Sequence, residues 1–292
     1  MRSSTTFVFT FNQSDQKRIL RLQHSTDTTL EQTISELEFI RHVSETGVQA
    51  ANPIPSRDGK IVEVVEWNGH TFYAVAFEYM VGTHYKVQDL TSEMSFEWGR
   101  TLALIHLASR GFVKPEGFDI PSWEDELDRL AAYIPKDEAQ TQDAFEYVRE
   151  WLGQRERTFK NYGLIHRDLE LDNMRWDGER FLVFDFNDVM YHFLAADVAS
   201  SLEEVLSLED SEKNSTSFLE GYESNLDGAG VDVDDFPTFY RAARLRKYLR
   251  LRRSYSGTNP ESDPPWLSKM REKHVGLMAH LRESISGSLS WK

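Results

Sequence analysis

The sequence predicts an α+β protein, with strand patterns early in the chain and helical patterns through most of the rest. Three observations carry that reading. Residues 6–11, 17–23, 60–67 and 71–77 are rich in strand-forming residues and joined by short polar turns, with one helical pattern between them. Beyond residue 95, apolar residues recur mostly at helical spacing. Within this second region, residues 162–188 read Y-G-L-I-H-R-D-L-E-L-D-N-M-R-W-D-G-E-R-F-L-V-F-D-F-N-D, an apolar stretch that holds Asp168, Asn173 and Asp185.

Residues 174–176 and 181–184 flank Asp177-Gly178, a pair that favours a tight type I′ connection, so a β-hairpin is expected. A hairpin returns the chain to its start. Asn173 at its entry and Asp185 at its exit should lie side by side, able to share one cation. Phosphoryl transfer needs this arrangement. A carboxylate must accept the proton of the attacking hydroxyl, and two oxygen-bearing side chains must hold Mg²⁺ on nucleotide phosphates.

The spacing Asp-x4-Asn, then a hydrophobic strand ending in Asp-Phe, resembles the catalytic loop and metal-binding segment of protein-kinase-like enzymes. Within that superfamily the chain is most similar to the aminoglycoside phosphotransferase/choline kinase group, from about residue 7 into the C-terminal helices. The resemblance implies a bilobal fold: a small β-rich nucleotide-binding lobe with one helix over 1–79, and a larger, mainly helical lobe over 80–292. Carried over residue by residue, it makes Asp168 the catalytic base and Asn173 and Asp185 the Mg²⁺ ligands, with ATP as donor. His-Arg-Asp alone would be a weak signal. Three elements in order, with a hairpin between them, are poorly explained as turn-forming residues.

The bounds from composition agree. The 292 residues suffice for one large domain or two lobes, and 40% apolar content with seven Trp and eighteen Phe fits a globular enzyme. A formal charge of −15 argues against nucleic acid or anionic membrane as main partner. There is no cysteine, which excludes disulfides, thiolate metal sites and Cys nucleophiles. Residues 7–11 are too short for a signal-peptide core, and no run reaches membrane-spanning length, so a cytoplasmic location is expected.

Taken in order, residues 6–11 and 17–23 predict two strands around a polar turn, with Lys17, Ile19 and Arg21 on one face of the second. Family members carry Lys or Arg in the middle of this strand, where it reaches the nucleotide phosphates; Arg21 matches it, and a surface charge is the plainer reading. A helix follows, with Thr28 and Glu31 as capping box, Leu30, Ile34, Leu37 and Ile40/Val43 as apolar stripe, and Gly47 at its end. Glu36 lies eleven residues before Gly47, as does the family's helix glutamate, and is therefore paired with Arg21. Its competitor Glu38 is about 200° further round the helix. Asn68-Gly69 sets a hairpin between 60–67 and 71–77. The following F-E-Y-M-V-G resembles the family's hinge, where backbone groups of Glu78, Tyr79 and Met80 would meet the adenine edge.

One departure stands out. The chain enters directly what resembles the family's second strand, with no Gly-x-Gly-x-x-Gly anywhere. Residues 3–6 stand where a remnant of the phosphate-covering loop would be. The departure implies either weakened nucleotide binding or a start upstream.

In the larger region, 95–110 predicts a long helix through Phe96, Trp98, Leu102, Ile105 and Leu107, with His106 read as core. Helices are expected near 121–133 and 138–160, the first carrying Glu124, Asp125, Glu126 and Asp128. In the family this inserted region helps wall the acceptor pocket; a solvated acidic face is the plainer reading. Asp197, near the start of the next helix, matches a family Asp that holds the catalytic loop from beneath. Only eight residues separate it from Asp188, which leaves no room for a peptide-docking segment. Further helices are predicted at 196–208, 213–225, 235–254 and 265–286. The Arg-rich 236–254 is read as pairing with acids of the same chain rather than nucleic acid. The last helix is read as core, with a dimer contact as the other reading.

The reading is therefore an ATP- and Mg²⁺-dependent kinase acting on a hydroxyl of a small molecule, cationic if the acids face it, without nucleic acid or membrane partners. The alternatives are a catalytically weak nucleotide-binding protein, motivated by Arg21 and the short N-terminus, and a protein Ser/Thr kinase.

Overall fold

The computed structural model describes residues 6–206, 211–226, 231–256 and 265–286. The chain divides into two compact units: Met1–Pro121 with Thr158–Val231, and Ser122–Arg157 with Asp232–Lys292. The division expected near residue 80 falls inside the first unit.

The first unit opens with β1 (Thr6–Gln13) and β2 (Gln16–His24), antiparallel about the two-residue turn Ser14-Asp15, both at positive φ. Helix α1 (Leu30–Glu45) follows, then the short strands β3 (Gln49–Ala50) and β4 (Pro53–Ile54), and the hairpin β5 (Glu63–Trp67) and β6 (His70–Glu78). Asn68 and Gly69 turn that hairpin at φ 50° and 76°, the geometry a type I′ turn requires. The sheet runs β1-β2-β6-β4, with β5 also on β6. Residues 3–5 of the expected loop remnant lie outside the described residues, and Thr6 begins β1.

Two details of α1 differ from expectation. The N-cap is Thr29, whose hydroxyl accepts from Gln32 N–H at 3.0 Å while the Gln32 side chain accepts the Thr29 N–H; Thr28 and Glu31 do not form the box. The apolar stripe is also rotated. Ile34 is exposed, and Phe39 is fully buried edge-on to Phe112 and Phe186. Packing against those two rings turns the helix so that Glu36 faces inward with Leu37 and Ile40.

The unit continues with α2 (Ser92–Gly111), longer than expected and with Leu107 exposed rather than buried. After it come β7 (Tyr162–Ile165), β8 (Met174–Trp176), β9 (Phe181–Val183), β10 (Met190–Phe193), α5 (Leu194–Leu206) and α6 (Ser211–Glu223). β8 and β9 form the predicted hairpin, with β3 parallel to β9. Its turn is not the expected two-residue type I′. Residues 177–180 form a four-residue loop in which Gly178 alone has positive φ, and the Asp177 carboxylate accepts the N–H groups of Glu179 and Arg180. The aspartate builds its own turn from its side chain.

Helices α2 and α6 touch backbone to backbone. A Cβ on Gly99 would lie 1.9 Å from the Phe218 carbonyl oxygen, and one on Gly221 would lie 1.9 Å from that of Phe96. Only glycine fits at either crossing point.

The second unit is helical: α3 (Trp123–Ala131), α4 (Ala139–Gly153), α7 (Phe236–Tyr255) and α8 (Pro265–Ser286). α4 ends well before residue 160. The acids of α3 are engaged within the unit. Glu124 pairs with Arg157, Glu126 with Arg246, and Asp128 with Arg149, while Asp125 closes a capping box with Ser122. The Arg-rich α7 thus partly satisfies the acidic face, as its opposite charge predicts, and Arg241 also lies over the Tyr147 ring. Among the described side chains of α8, Leu281 and Ile285 are buried, and Leu267, Met270, His274, Leu277 and Met278 are half-buried. Among the described residues no helix is long and apolar enough to cross a membrane.

Candidate active site

The site lies within the first unit. On β2, hydrogen-bonded between β1 and β6, Arg21 points toward α1. Its Nη1 and Nη2 donate to Glu36 Oε1 and Oε2, both at 2.7 Å, and both residues are buried. The fork-to-fork contact is the geometry for which Arg, unlike Lys, is built. Burial would lower the Arg21 pKa, but the charge and hydrogen bonds of Glu36, with the charge of Asp185, raise it overall. Arg21 is fixed in its charged form. The pair expected from sequence is present, and Glu38 is not part of it.

The loop after β7 is held from below by Asp197. Its Oδ2 accepts the N–H of His166 and its Oδ1 that of Arg167, each at 2.8 Å. Arg167 is thereby held at φ 71°, a left-handed conformation uncommon for a residue with a side chain. Burial alone would raise the Asp197 pKa. The hydrogen bond from His106 and the neighbouring Arg167 guanidinium lower it overall. The next carbonyl, that of Leu169, accepts from Trp98 Nε1–H and Ser201 Oγ–H at 3.1 Å each. The loop's backbone is pinned on both sides of Asp168.

Asp168 itself is half-buried. Asn173 closes the loop on it, its Nδ2 donating to the Asp168 carbonyl at 2.7 Å and to Oδ2 at 2.8 Å. Since the amide nitrogen faces Asp168, Oδ1 is the Asn173 atom suited to a cation. Across the hairpin, Phe184 N–H donates to the Asn173 carbonyl at 3.1 Å, which brings Asp185 to the same end. Asp185 sits at φ 68°, ψ 60°. Burial raises its pKa to about 6 against the favourable charge of Arg21, helped by Asp188, Glu36 and Asp168. The charges of Arg21, Asp188, Glu36 and Asp168 thus all act on Asp185.

His166, which sequence reading left without a role, is buried with its ring tilted against that of Phe186, centroids 4.4 Å apart. Its Nδ1 accepts the Asp168 N–H at 3.4 Å, so Nε2 carries the proton and donates to the Phe184 carbonyl at 3.3 Å. Burial lowers its pKa, despite Asp197 and Asp168 nearby. A neutral imidazole therefore ties the loop of Asp168 to the strand end before Asp185.

At the proposed hinge, the Glu78 N–H is already committed to the Asn52 carbonyl at 3.0 Å. Tyr79 lies between Lys17 and Arg175, at 4.3 and 5.4 Å from its ring centroid, and Met80 follows half-buried. Thr83 and Trp176 exchange both backbone hydrogen bonds at 2.8 Å, and Arg175 Nη1 donates to the Gly82 carbonyl at 3.2 Å. The segment after β6 is thus fastened to the hairpin that carries Asn173.

Among the described residues no group of three or more His, Cys, Asp or Glu could hold a metal ion. Asn173 Oδ1 and the Asp185 carboxylate are the oxygen donors here that could hold a divalent cation whose other ligands are waters and substrate phosphates.

Comparison with known proteins gives the family of the chain. Residues 2–231 match the model of the phosphotransferase enzyme family. Amicoumacin kinase of Bacillus subtilis (strain 168) is 26% identical over 293 residues, covering 96% of this chain and 84% of the relative. Homoserine kinase of Sinorhizobium medicae (strain WSM419) is 28% identical over 254 residues, covering 80% and 74%. Among solved structures, amicoumacin kinase hAmiN in complex with AMP-PNP, Ca²⁺ and Ami superposes with a TM-score of 0.82 at 22% identity, covering 98% of this chain and 86% of that one. A microcompartment-associated aminopropanol kinase gives 0.75 at 22%, covering 97% and 88%. The chain belongs to the phosphotransferase enzyme family, as a small-molecule kinase of α+β, protein-kinase-like fold.

Proposed function

We propose that this enzyme moves the γ-phosphoryl group of ATP to a hydroxyl of a small molecule, with Mg²⁺ as the metal and the cytoplasm as its location. The observation that carries the reading is the convergence of the Arg21–Glu36 pair, the Asp168–Asn173 pair and Asp185 on one neighbourhood.

Asp168 takes the proton of the attacking hydroxyl. The Asn173 amide on its Oδ2 fixes the plane of the carboxylate, and the pinned carbonyl of Leu169 fixes the backbone that carries it. Asn173 Oδ1 and Asp185 would hold Mg²⁺, which when bound neutralises charge on the phosphates. Arg21, steadied by Glu36, holds the phosphates, and backbone groups of Glu78, Tyr79 and Met80 receive the adenine edge, with the Glu78 N–H already used. Residues 1–79 are the nucleotide-binding part of this reading. Positioning and electrostatics supply most of the rate in such chemistry.

The acceptor is an amino-bearing alcohol. Homoserine and aminopropanol, named for two relatives, each join an amino group to a hydroxyl. The acids of α3 lend this no support, because each is engaged within its own unit. A panel of amino alcohols, homoserine, aminoglycosides and a generic peptide, read by ATP consumption, tests the proposal. Turnover of a small molecule by the natural chain and not by Asp168→Asn is expected. Phosphorylation of the peptide with no small-molecule turnover would overturn it.

A further inference from the structure

Behind the catalytic loop lies a buried chain of polar groups that the reaction scheme does not use. His106, on α2, is fully buried, with Nε2 3.2 Å from Asp197 Oδ2 and Nδ1 2.8 Å from the hydroxyl of Tyr222 on α6. Asp197 already accepts the backbone N–H groups of His166 and Arg167. The Tyr222 ring stands edge-on to His106 at 5.6 Å between centroids.

The tautomer of His106 decides whether this chain works. An ionised carboxylate only accepts, so the contact with Asp197 requires the proton on Nε2. In the neutral ring Nδ1 then accepts, and the Tyr222 hydroxyl is the donor that it meets. Without that hydroxyl, a neutral imidazole can place its proton on Nδ1 and turn a lone pair toward Asp197. The carboxylate would lose a partner in a buried site and with it part of its hold on the loop at Arg167, next to Asp168.

We infer that Tyr222 is a positioning residue: its hydroxyl fixes the Nε2–H tautomer of His106, which holds Asp197 and through it the left-handed turn before Asp168. The close crossing of α2 and α6 is part of the device. Gly221, adjacent to Tyr222, and Gly99 let the helices approach until their backbones touch, and that approach brings the hydroxyl within reach of Nδ1. Tyr222 touches no reacting atom and acts through two other side chains.

The inference rests on Asp168 as the base, and the test separates the two claims. Nitrogen-15 NMR of histidine-labelled natural chain reads the tautomer directly and needs no variant. Nε2–H with a hydrogen-bonded Nδ1 is expected; Nδ1–H would overturn the inference. In Tyr222→Phe the Nδ1 resonance should move toward that of a protonated, pyrrole-type nitrogen as the Nδ1–H tautomer gains population. ATP turnover should fall about three- to tenfold, the scale of one lost hydrogen bond, with AMP-PNP affinity changed less than about twofold. Natural turnover in Tyr222→Phe would also overturn it. Undiminished turnover in Asp168→Asn would instead sink the assignment of the base, while the NMR result would still judge the Tyr222–His106 contact.

Discussion

Asn173 donates one amide nitrogen to two oxygens of Asp168, the backbone carbonyl at 2.7 Å and the carboxylate at 2.8 Å. The residue read as a metal ligand is thus also the clamp on the residue read as the base. One side chain serves both because an amide offers a donor at one end and an acceptor at the other.

That double duty sets apart the effects of three substitutions. Asp185→Asn should abolish Mg²⁺-dependent nucleotide binding. Asp168→Asn should keep binding and lose transfer. Asn173→Ala should lose both. Calorimetric titration of AMP-PNP with and without Mg²⁺, beside turnover, separates Asp168→Asn from the other two; turnover retained in both Asp185→Asn and Asp168→Asn would refute the assignment.

Arg21 and Glu36 are buried together, so each depends on the other. Glu36→Gln should cost about 3–5 kcal/mol of stability, the scale for breaking a buried pair from one side. Arg21→Ala should also weaken ATP binding by about 1.5–3 kcal/mol, and adenosine binding far less. Denaturant unfolding and calorimetry check the two arms.

The pKa of Asp185 lies above its ordinary value, at about 6, because burial disfavours the charged form. The unfolded chain therefore releases this proton more readily than the fold does. The metal-free protein loses stability as pH rises from about 4 to 6, by roughly 3 kcal/mol at most from this group. Asp185→Asn should accordingly stabilise the metal-free protein at pH 8 and leave it nearly unchanged at pH 4. Asp197, held below its ordinary value, acts in the opposite sense. Its contribution is present above the unfolded pKa and is lost as pH falls through the folded one, so Asp197→Asn should destabilise at pH 7 and do progressively less in acid.

Gly99→Ala and Gly221→Ala each insert a Cβ 1.9 Å from a backbone oxygen, where no side-chain rotation gives relief. Each should cost about 1–3 kcal/mol or more, seen as a thermal midpoint several degrees lower. Gly178→Ala, with open space around its Cβ, should cost only the strain of its φ of 112°.

Much of the site is legible in the sequence because its parts are local. Asp168 and Asn173 share one loop, a short hairpin joins Asn173 to Asp185, and Asn68-Gly69 declares its own turn. Arg21 and Glu36 could be paired because the family resemblance places a glutamate eleven residues before Gly47, and Glu38 lies on another face of the helix. What escaped depends on distant packing. The orientation of α1 is set by Phe112 and Phe186, which no period within α1 reveals. The acids of α3 are matched by Arg149, Arg157 and Arg246, brought near only by folding. His106 reads as an ordinary core residue, and its link to Tyr222 spans 116 positions. The aspartate that caps its own turn at 177 was hidden by an Asp-Gly pair that suggests another geometry.

The stretch from Asp188 to α5 is spent almost at once on strand β10, paired with β7 from Met190 to Phe193, and Leu194 N–H then closes on the Asn161 carbonyl at 2.8 Å. A chain drawn this tight has no slack to swing between an open and a shut arrangement, and no tether on which a covalent mark could act as a latch. Control by a swinging activation segment has no room to act between Asp188 and α5.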